Sequence, residues 1–238
     1  MKRALGILRM VADSEGSSVR LTDVARACEL NTATAHRLLR TLAEDGFLIG
    51  APDKTYSIGP EILRMAGRVD VGRMERSRYG GVVERIAEEV EDTVFLSIRR
   101  RSDAICVMAR TGRYHIRTMS LEEGSVRPLG VGAGSLALLS SLDAGERERI
   151  VSANQARYGS FGLAPEVVLE MAEAAAKRGY SINDGRILEG VWGLGVPLRT
   201  GGASPGVAIS VAAIEARMTP ERMKRIVATI EEAVTQAT

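Results

Sequence analysis

The sequence predicts an α+β protein (α/β in the broad sense), with a small helical N-terminal domain carrying a β-hairpin and a larger antiparallel-sheet domain after it. Three observations predict it. Residues 4–45 place apolar side chains at helical spacing in three short segments. Residues 47–50 and Thr55–Ile58 flank the turn Ala51-Pro52-Asp53-Lys54 as the arms of a hairpin do. Beyond residue 90, Val- and Ile-rich runs come in pairs around tight turns, the pattern of neighbouring antiparallel strands.

The elements follow in order. Residues 4–12 form a first helix, with Leu5, Leu8 and Val11 on its inner side. The run 13–18 is a turn. Thr22 is placed to cap a second helix over 23–30, whose Val24, Ala25 and Cys28 face inward. A short connection leads to a third helix, where Ala35, Leu38, Leu39 and Leu42 fall at i, i+3, i+4 and i+7. Asn31 suits its N-cap and Gly46 a left-handed stop. Two helices joined by a few residues, the second polar at its N-terminal end, make a helix-turn-helix, and the hairpin turns it into a winged helix.

Pro60 suits the first turn of a helix running to about Val69 and onward, with Ile62, Leu63 and Ala66 as its stripe. Residues 70–81 read as a linker or an interrupted helix, and a further helix follows over 82–91. The expected organisation is a winged helix-turn-helix over 1–60, a linker helix over 61–78, and a second domain over 79–238. In that domain 93–100 and 104–110 are strands around Arg101-Ser102-Asp103, and 114–119 is a third strand. Residues 132–142 form a helix with a Gly-rich start, and Pro165–Arg178 an amphipathic one. Residues 191–199 and 205–214 are strands separated by Gly201-Gly202-Ala203-Ser204. Thr219 caps a last helix opened by Pro220 and ending near Ala233. Antiparallel strands with helices to one side argue for α+β.

Composition narrows the function classes. Apolar residues make up 45% of 238, enough for a real core, while aromatics at 4% argue against a base-stacking surface. Residues 1–78 hold 13 Lys and Arg against 10 Asp and Glu, and residues 79–238 hold 19 against 20. The basic excess of +3 therefore sits at the N-terminal end, a weak sign of a polyanion partner. Cys28 and Cys106 form no metal-ligand spacing and read as buried thiols in a reducing compartment. The apolar start is broken by Gly6 and Arg9, and no run approaches the ~20 apolar residues of a membrane span, so a cytoplasmic protein without membrane contact is expected.

The third helix raises the sharpest question. A merely solvated face carries Glu and Lys, whereas Thr32, Thr34, His36 and Arg37 are groups suited to reach a partner. Inserted into a major groove, Arg37 would pair with guanine and Thr34 would meet a thymine methyl or a phosphate. Backbone near Thr32 and Arg40 would hold phosphate. His36 fits either the groove or the wing, and Lys54 at the wing tip fits the minor groove or a phosphate. The bland alternative is an ordinary surface helix that docks protein. Gly130-Val131-Gly132-Ala133-Gly134 is not a dinucleotide fingerprint, because the glycine spacing is wrong and no βαβ unit surrounds it. Two readings of it stay open: an anion site at a helix N-terminus, or glycines that let the helix pack close to the sheet. His36 and His115 lack nucleophile partners, and no phosphate loop, metal-ligand helix or cofactor motif occurs. No catalytic residue, cofactor or metal is expected. A small-molecule-binding enzyme, or a ligand-binding module docked to protein, is the alternative class.

The chain resembles the IclR-type bacterial transcriptional regulators. The resemblance covers nearly the whole length. It rests on Ala35 through Leu48 followed by Tyr56-Ser57-Ile58-Gly59-Pro60, on Arg127-Pro128-Leu129, on Arg178-Gly179-Tyr180-Ser181, and on the run 206–211. It implies a winged helix-turn-helix joined to a GAF-like, profilin-like effector domain, an operator in double-stranded DNA, a small-molecule effector such as an organic or aromatic acid, and a homodimer or dimer of dimers. Carried over position by position, it implies an effector site at Ile116, Met119, Gly132, Ala133, Gly134, Asn183, Val191, Gly193, Ser210 and Ala212. Backbone N–H groups at Ala133 and Gly134 would then bind a carboxylate without a buried cation. Three departures matter. Asn31-Thr32-Ala33-Thr34 replaces the frequent Pro-Lys-Ser-Thr, Gly130-Val131-Gly132-Ala133 replaces His-Ala-Thr-Ala, and Gly193 stands where some members carry Cys. The last two imply a smaller, less polar wall with room for more than a two-carbon acid.

Overall fold

The computed structural model describes residues 2–14, 18–66, 72–118, 120–198 and 206–237. The chain divides into two compact units, Met1–Asp70 and Val71–Thr238. Part of the expected turn over 13–18, the Gly201–Ser204 turn and Met119 lie outside the described residues.

The first unit contains α1 (Lys2–Ala12), β1 (Val19–Arg20), α2 (Leu21–Ala27), α3 (Thr32–Glu44), β2 (Leu48–Gly50), β3 (Thr55–Ile58) and α4 (Pro60–Ala66). Its core gathers Ile7, Val11, Val24, Leu39, Leu48 and Tyr56, fully or nearly buried. Each large apolar side chain there contributes about 1.5–3 kcal/mol. Asn31 caps α3 by accepting from the Thr34 N–H at 2.8 Å. Gly46, at φ +76°, ends the helix in the left-handed region. Details depart from the sequence reading. On α1 Ile7 takes the inner position and Leu5 is half exposed. Thr22 does not cap α2, which begins one residue earlier at Leu21 with Arg20 in the cap position and no side-chain bond. The reason is β1, a two-residue strand pairing Val19 with Tyr56 that carries the chain straight into the helix. The hairpin is thus the core of a three-stranded sheet, β1-β3-β2.

The second unit opens with α5 (Arg73–Val90), a single helix where an interruption was expected. Tyr79, Val82, Val83, Ile86, Ala87 and Val90 bury one stripe, and that packing outweighs the cost of about 1 kcal/mol for each of Gly80 and Gly81. Six antiparallel strands follow: β4 (Thr93–Arg100), β5 (Asp103–Arg110), β6 (Val126–Pro128), β7 (Ser181–Asp184), β8 (Val191–Leu198) and β9 (Val207–Ile214). They lie in the order β6-β5-β4-β9-β8-β7. Between β6 and β7 come α6 (Ala133–Ser140), α7 (Ala144–Tyr158) and α8 (Pro165–Arg178), and α9 (Pro220–Thr235) ends the chain, capped by Thr219.

Helices cover both faces of this sheet rather than one. Val94, Leu96, Ile98, Ile209 and Val211 point to the layer of α5 and α9, while Ala104 and Ala208 point to the layer of α6, α7 and α8. The cause lies in β4 and β9, which are apolar or small on both faces and so need two covers. The expected strand over 114–119 does not form over its described residues. Its backbone is tied elsewhere: Tyr114 N–H donates to Glu91 O, and the Thr118 hydroxyl donates to Ala212 O at 2.7 Å. The edge beside β5 goes to β6 instead.

Candidate nucleic-acid interface and ligand pocket

In the first unit, Thr32, His36, Arg37, Arg40 and Lys54 are exposed and Thr34 is half-buried. They divide by partner. Arg40 Nε donates to Glu44 at 2.7 Å, so its charge is already answered within the helix. Thr34 spends its N–H on the Asn31 cap. The Arg37 guanidinium meets no carboxylate among the described residues. It projects from the second turn of α3. Lys54 sits at the wing tip with φ +61°, held by its N–H to Ala51 O at 3.0 Å and by the Asp53–Thr55 bonds beside it.

The second unit holds a cavity of about 240 Å³ between the start of α6 and the sheet. Strand alternation builds its floor. Pairing sets Asn183 beside Gly193 and Gly193 beside Ala212. The next inward-facing row holds Ser181, Gly195, Ser210 and Phe95. Small residues along β8 let α6 approach. A Cβ on Gly195 would lie 2.4 Å from the Ala133 carbonyl oxygen, and one on Gly134 would lie 2.9 Å from Ser210 Oγ. The Ser181 hydroxyl donates to the same Ala133 carbonyl at 2.6 Å. Close packing therefore explains Gly134. Gly132, at φ +85° in the N-cap position, supplies a turn with no side-chain cap, leaving the first N–H groups of α6 at the cavity wall.

Of the effector positions that the resemblance implied, Gly132, Ala133, Gly134, Asn183, Val191, Gly193, Ser210 and Ala212 all line this cavity. Ile116 is half exposed and is not among the lining residues. Lining residues missed from sequence include Phe95, Ile187, Trp192 and above all Arg127. Among the described residues Arg127 is the one charged residue of the lining. It is half-buried, and burial pulls its pKa below the usual guanidinium value. Its Nη2 donates to Ser120 O at 2.6 Å, and Nη1 lies 3.2 Å from where a Cβ on Gly132 would stand. The signal was present in the sequence as one Arg directly before the uncharged run Pro128-Leu129-Gly130-Val131 that leads into the glycines. Arg127 thus adds a half-buried cation to a lining for which the sequence reading used only the Ala133 and Gly134 N–H groups. Asn183 contributes a second polar feature: its Oδ1 is buried with no hydrogen-bond partner. Cys106 lies in the cluster of Phe95 and Ala212 behind the wall, and burial pushes its thiol up to about 11.

Comparison with known proteins now decides the family. Residues 73–238 match the bacterial transcriptional regulator IclR C-terminal domain, and residues 1–49 match the IclR helix-turn-helix domain. This chain belongs to the IclR family. It is a DNA-binding transcriptional regulator. Among similar proteins is the HTH-type transcriptional regulator KipR of Bacillus subtilis, 26% identical, the match covering 92% of this chain and 88% of that one. An IclR family regulator from Brucella abortus superposes with a TM-score of 0.80 at 21% identity, covering 99% of this chain and 89% of that one. An IclR homologue from Microbacterium hydrocarbonoxydans, complexed with 4-hydroxybenzoate, superposes with a TM-score of 0.64 at 19% identity, covering 98% of both chains. In the IclR-type chain described above, no helix among the described residues is long and apolar enough to cross a membrane. None of those residues group as a metal site.

Proposed function

We propose that this regulator inserts the N-terminal half of α3 into the major groove of an operator and that a small organic acid in the second unit's cavity controls its affinity. The observation that carries the DNA half is Arg37, an exposed guanidinium with no acidic partner on a helix whose neighbours Thr32, Thr34 and His36 are short or planar. Arg37 reads a base, Thr34 meets a thymine methyl or a phosphate, and Thr32 and Lys54 position the duplex on its backbone. Arg40 contacts phosphate only by giving up Glu44, so its share is smaller.

The effector half is supported by the cavity. It is a partly open cavity of about 240 Å³ with a mostly apolar lining, which suits a short-chain or single-ring acid. The relative bound to 4-hydroxybenzoate supports the same class. The working unit is a homodimer or a dimer of dimers. Leu63 and Met65 on α4, and Met74 at the start of α5, stand exposed, as faces kept for a second copy do. A dimer matches two half-sites about one helical turn apart or a multiple of it.

Arg37→Ala tests the DNA half on duplexes that the protein selects from a random library. Loss of roughly 1–3 kcal/mol in specific affinity, with relaxed choice at one base pair, is expected. A uniform loss across sequences makes Arg37 a phosphate contact, and no loss removes α3 from the interface.

A further inference from the structure

We infer that the cavity selects a monoanion carrying a hydrogen-bond donor remote from its charge, a hydroxy acid in the simplest case, with Arg127 holding the anion and Asn183 Oδ1 accepting from the donor. This rests on the reading that the cavity takes an organic acid, and it says which kind.

Two independent features carry it. Among the described residues Arg127 is the only charge in the lining, and no carboxylate answers it. Its hydrogen-bond partner among those residues is the neutral Ser120 carbonyl. A partly desolvated cation facing an otherwise neutral cavity is relieved by one anionic group, and a second negative charge on the ligand would meet no cation there. The other feature is Asn183. Its residue is 8% exposed, and its Oδ1 is the one buried side-chain atom without a partner among the described residues. An orphaned acceptor of that kind costs free energy until a donor arrives.

The two groups face one space from opposite sides. Arg127 lies on β6 and Asn183 on β7, the two edges of the sheet, and α6 bridges them. Gly132 is within contact of Arg127 Nη1, Ala133 Cβ lies 3.0 Å from where a Cβ on Gly193 would be, and that position is 3.9 Å from Asn183 Cβ. With the two groups on the two edge strands, the anion meets the β6 side of the cavity and the donor its β7 side. A ligand whose polar atoms all cluster at the carboxylate leaves Asn183 unanswered. The neutral wall between the poles is Phe95, Val191 and Ala212.

The test is calorimetry on the full-length chain, with quenching of Trp192 as a second readout. Trp192 is the chain's one tryptophan and it lines the cavity. The probes are matched pairs, benzoate with 4-hydroxybenzoate and butyrate with 4-hydroxybutyrate, plus phenol as an uncharged control. In at least one pair, the hydroxylated acid is expected to bind at least tenfold tighter than its partner, with phenol weaker than either. Arg127→Gln should weaken both acids at least tenfold, and Asn183→Leu should abolish the preference within the pair while retaining acid binding. Acids that bind with no preference for the hydroxyl, or that bind Arg127→Gln as tightly as wild type, overturn this inference and leave the organic-acid reading standing. If no acid in the panel binds, the organic-acid reading itself falls, and this inference with it.

Discussion

The two units solve recognition in opposite ways. The winged-helix unit offers the proposed DNA-reading groups outward: Arg37, His36 and Thr32 stand exposed on one helix, held by a core of ten buried side chains. The second unit holds its proposed effector site in a cavity. The cavity walls come from the strands β4, β6, β7, β8 and β9, from the start of α6 and from the loop at Ile187, and every close approach depends on a missing side chain. An outward site tolerates change in the residues beneath it, as long as the helix stands. An inward site is inseparable from packing, so stability and binding change together. The contrast can be broken or sharpened by perturbing each unit separately.

The largest effect is expected at Asp92. Its side chain is 1% exposed and is held by Arg217 at 3.0 Å and Arg222 at 2.7 Å, and Arg217 also lies over the Tyr114 ring. Asp92→Ala strands two partly buried guanidinium groups. It should cost about 3–5 kcal/mol in the urea unfolding of the second unit, and the winged-helix transition should not move. A single shared transition that moves as a whole would show instead that the two units unfold as one.

Alkaline pH supplies the next effect. The buried Tyr158 hydroxyl donates to Leu129 O at 2.7 Å, and burial pushes its pKa up to about 12, while Cys106 rises to about 11. Both groups are neutral when protonated, and the unfolded chain releases these protons earlier, near 10 and 9. Their contribution is therefore whole below pH 9 and is lost as pH rises toward 12, on the order of 2–3 kcal/mol each. Both belong to the second unit. Thermal melts at pH 8 and pH 11 should show that unit falling first, and Tyr158→Phe should flatten much of the slope.

The smallest effect is in the first unit. Asn31→Ala removes the α3 cap and should cost about 1 kcal/mol there, with acid binding by the second unit unchanged. A change in acid affinity in the absence of duplex would break the separation drawn here.

What was legible in the sequence follows the same division. The α3 stripe, its Asn31 cap and its Gly46 stop are local features, and each stands where periodicity placed it. The strands of β4, β5, β8 and β9 were legible because Val and Ile runs carry their own period. The short β1, β6 and β7 were not: β2 and β3 are as short but flank a readable Pro-Asp turn, whereas these three have neither period nor such a turn and are strands only through their neighbours. Helix α7 was passed over because its segment, Ala144–Tyr158, is rich in Glu and Arg, and its buried Asn154 and Tyr158 answer to partners far along the chain. Single residues of the cavity had no local signature. Gly193 and Ala212 were placed by resemblance, and Arg127 was quoted as part of a motif without its role being seen. Its importance lies in what surrounds it, a neutral wall drawn from distant segments.

The central claim is that acid in the buried cavity changes DNA binding at the exposed helix. Fluorescence anisotropy of a library-selected duplex, titrated with protein with and without saturating hydroxy acid, tests it most directly. The account predicts a change in duplex affinity of roughly 5–150-fold, matched by the same factor in acid affinity when duplex is present, and absent in Arg127→Gln. An acid that binds wild type tightly while the duplex affinity stays fixed would contradict it.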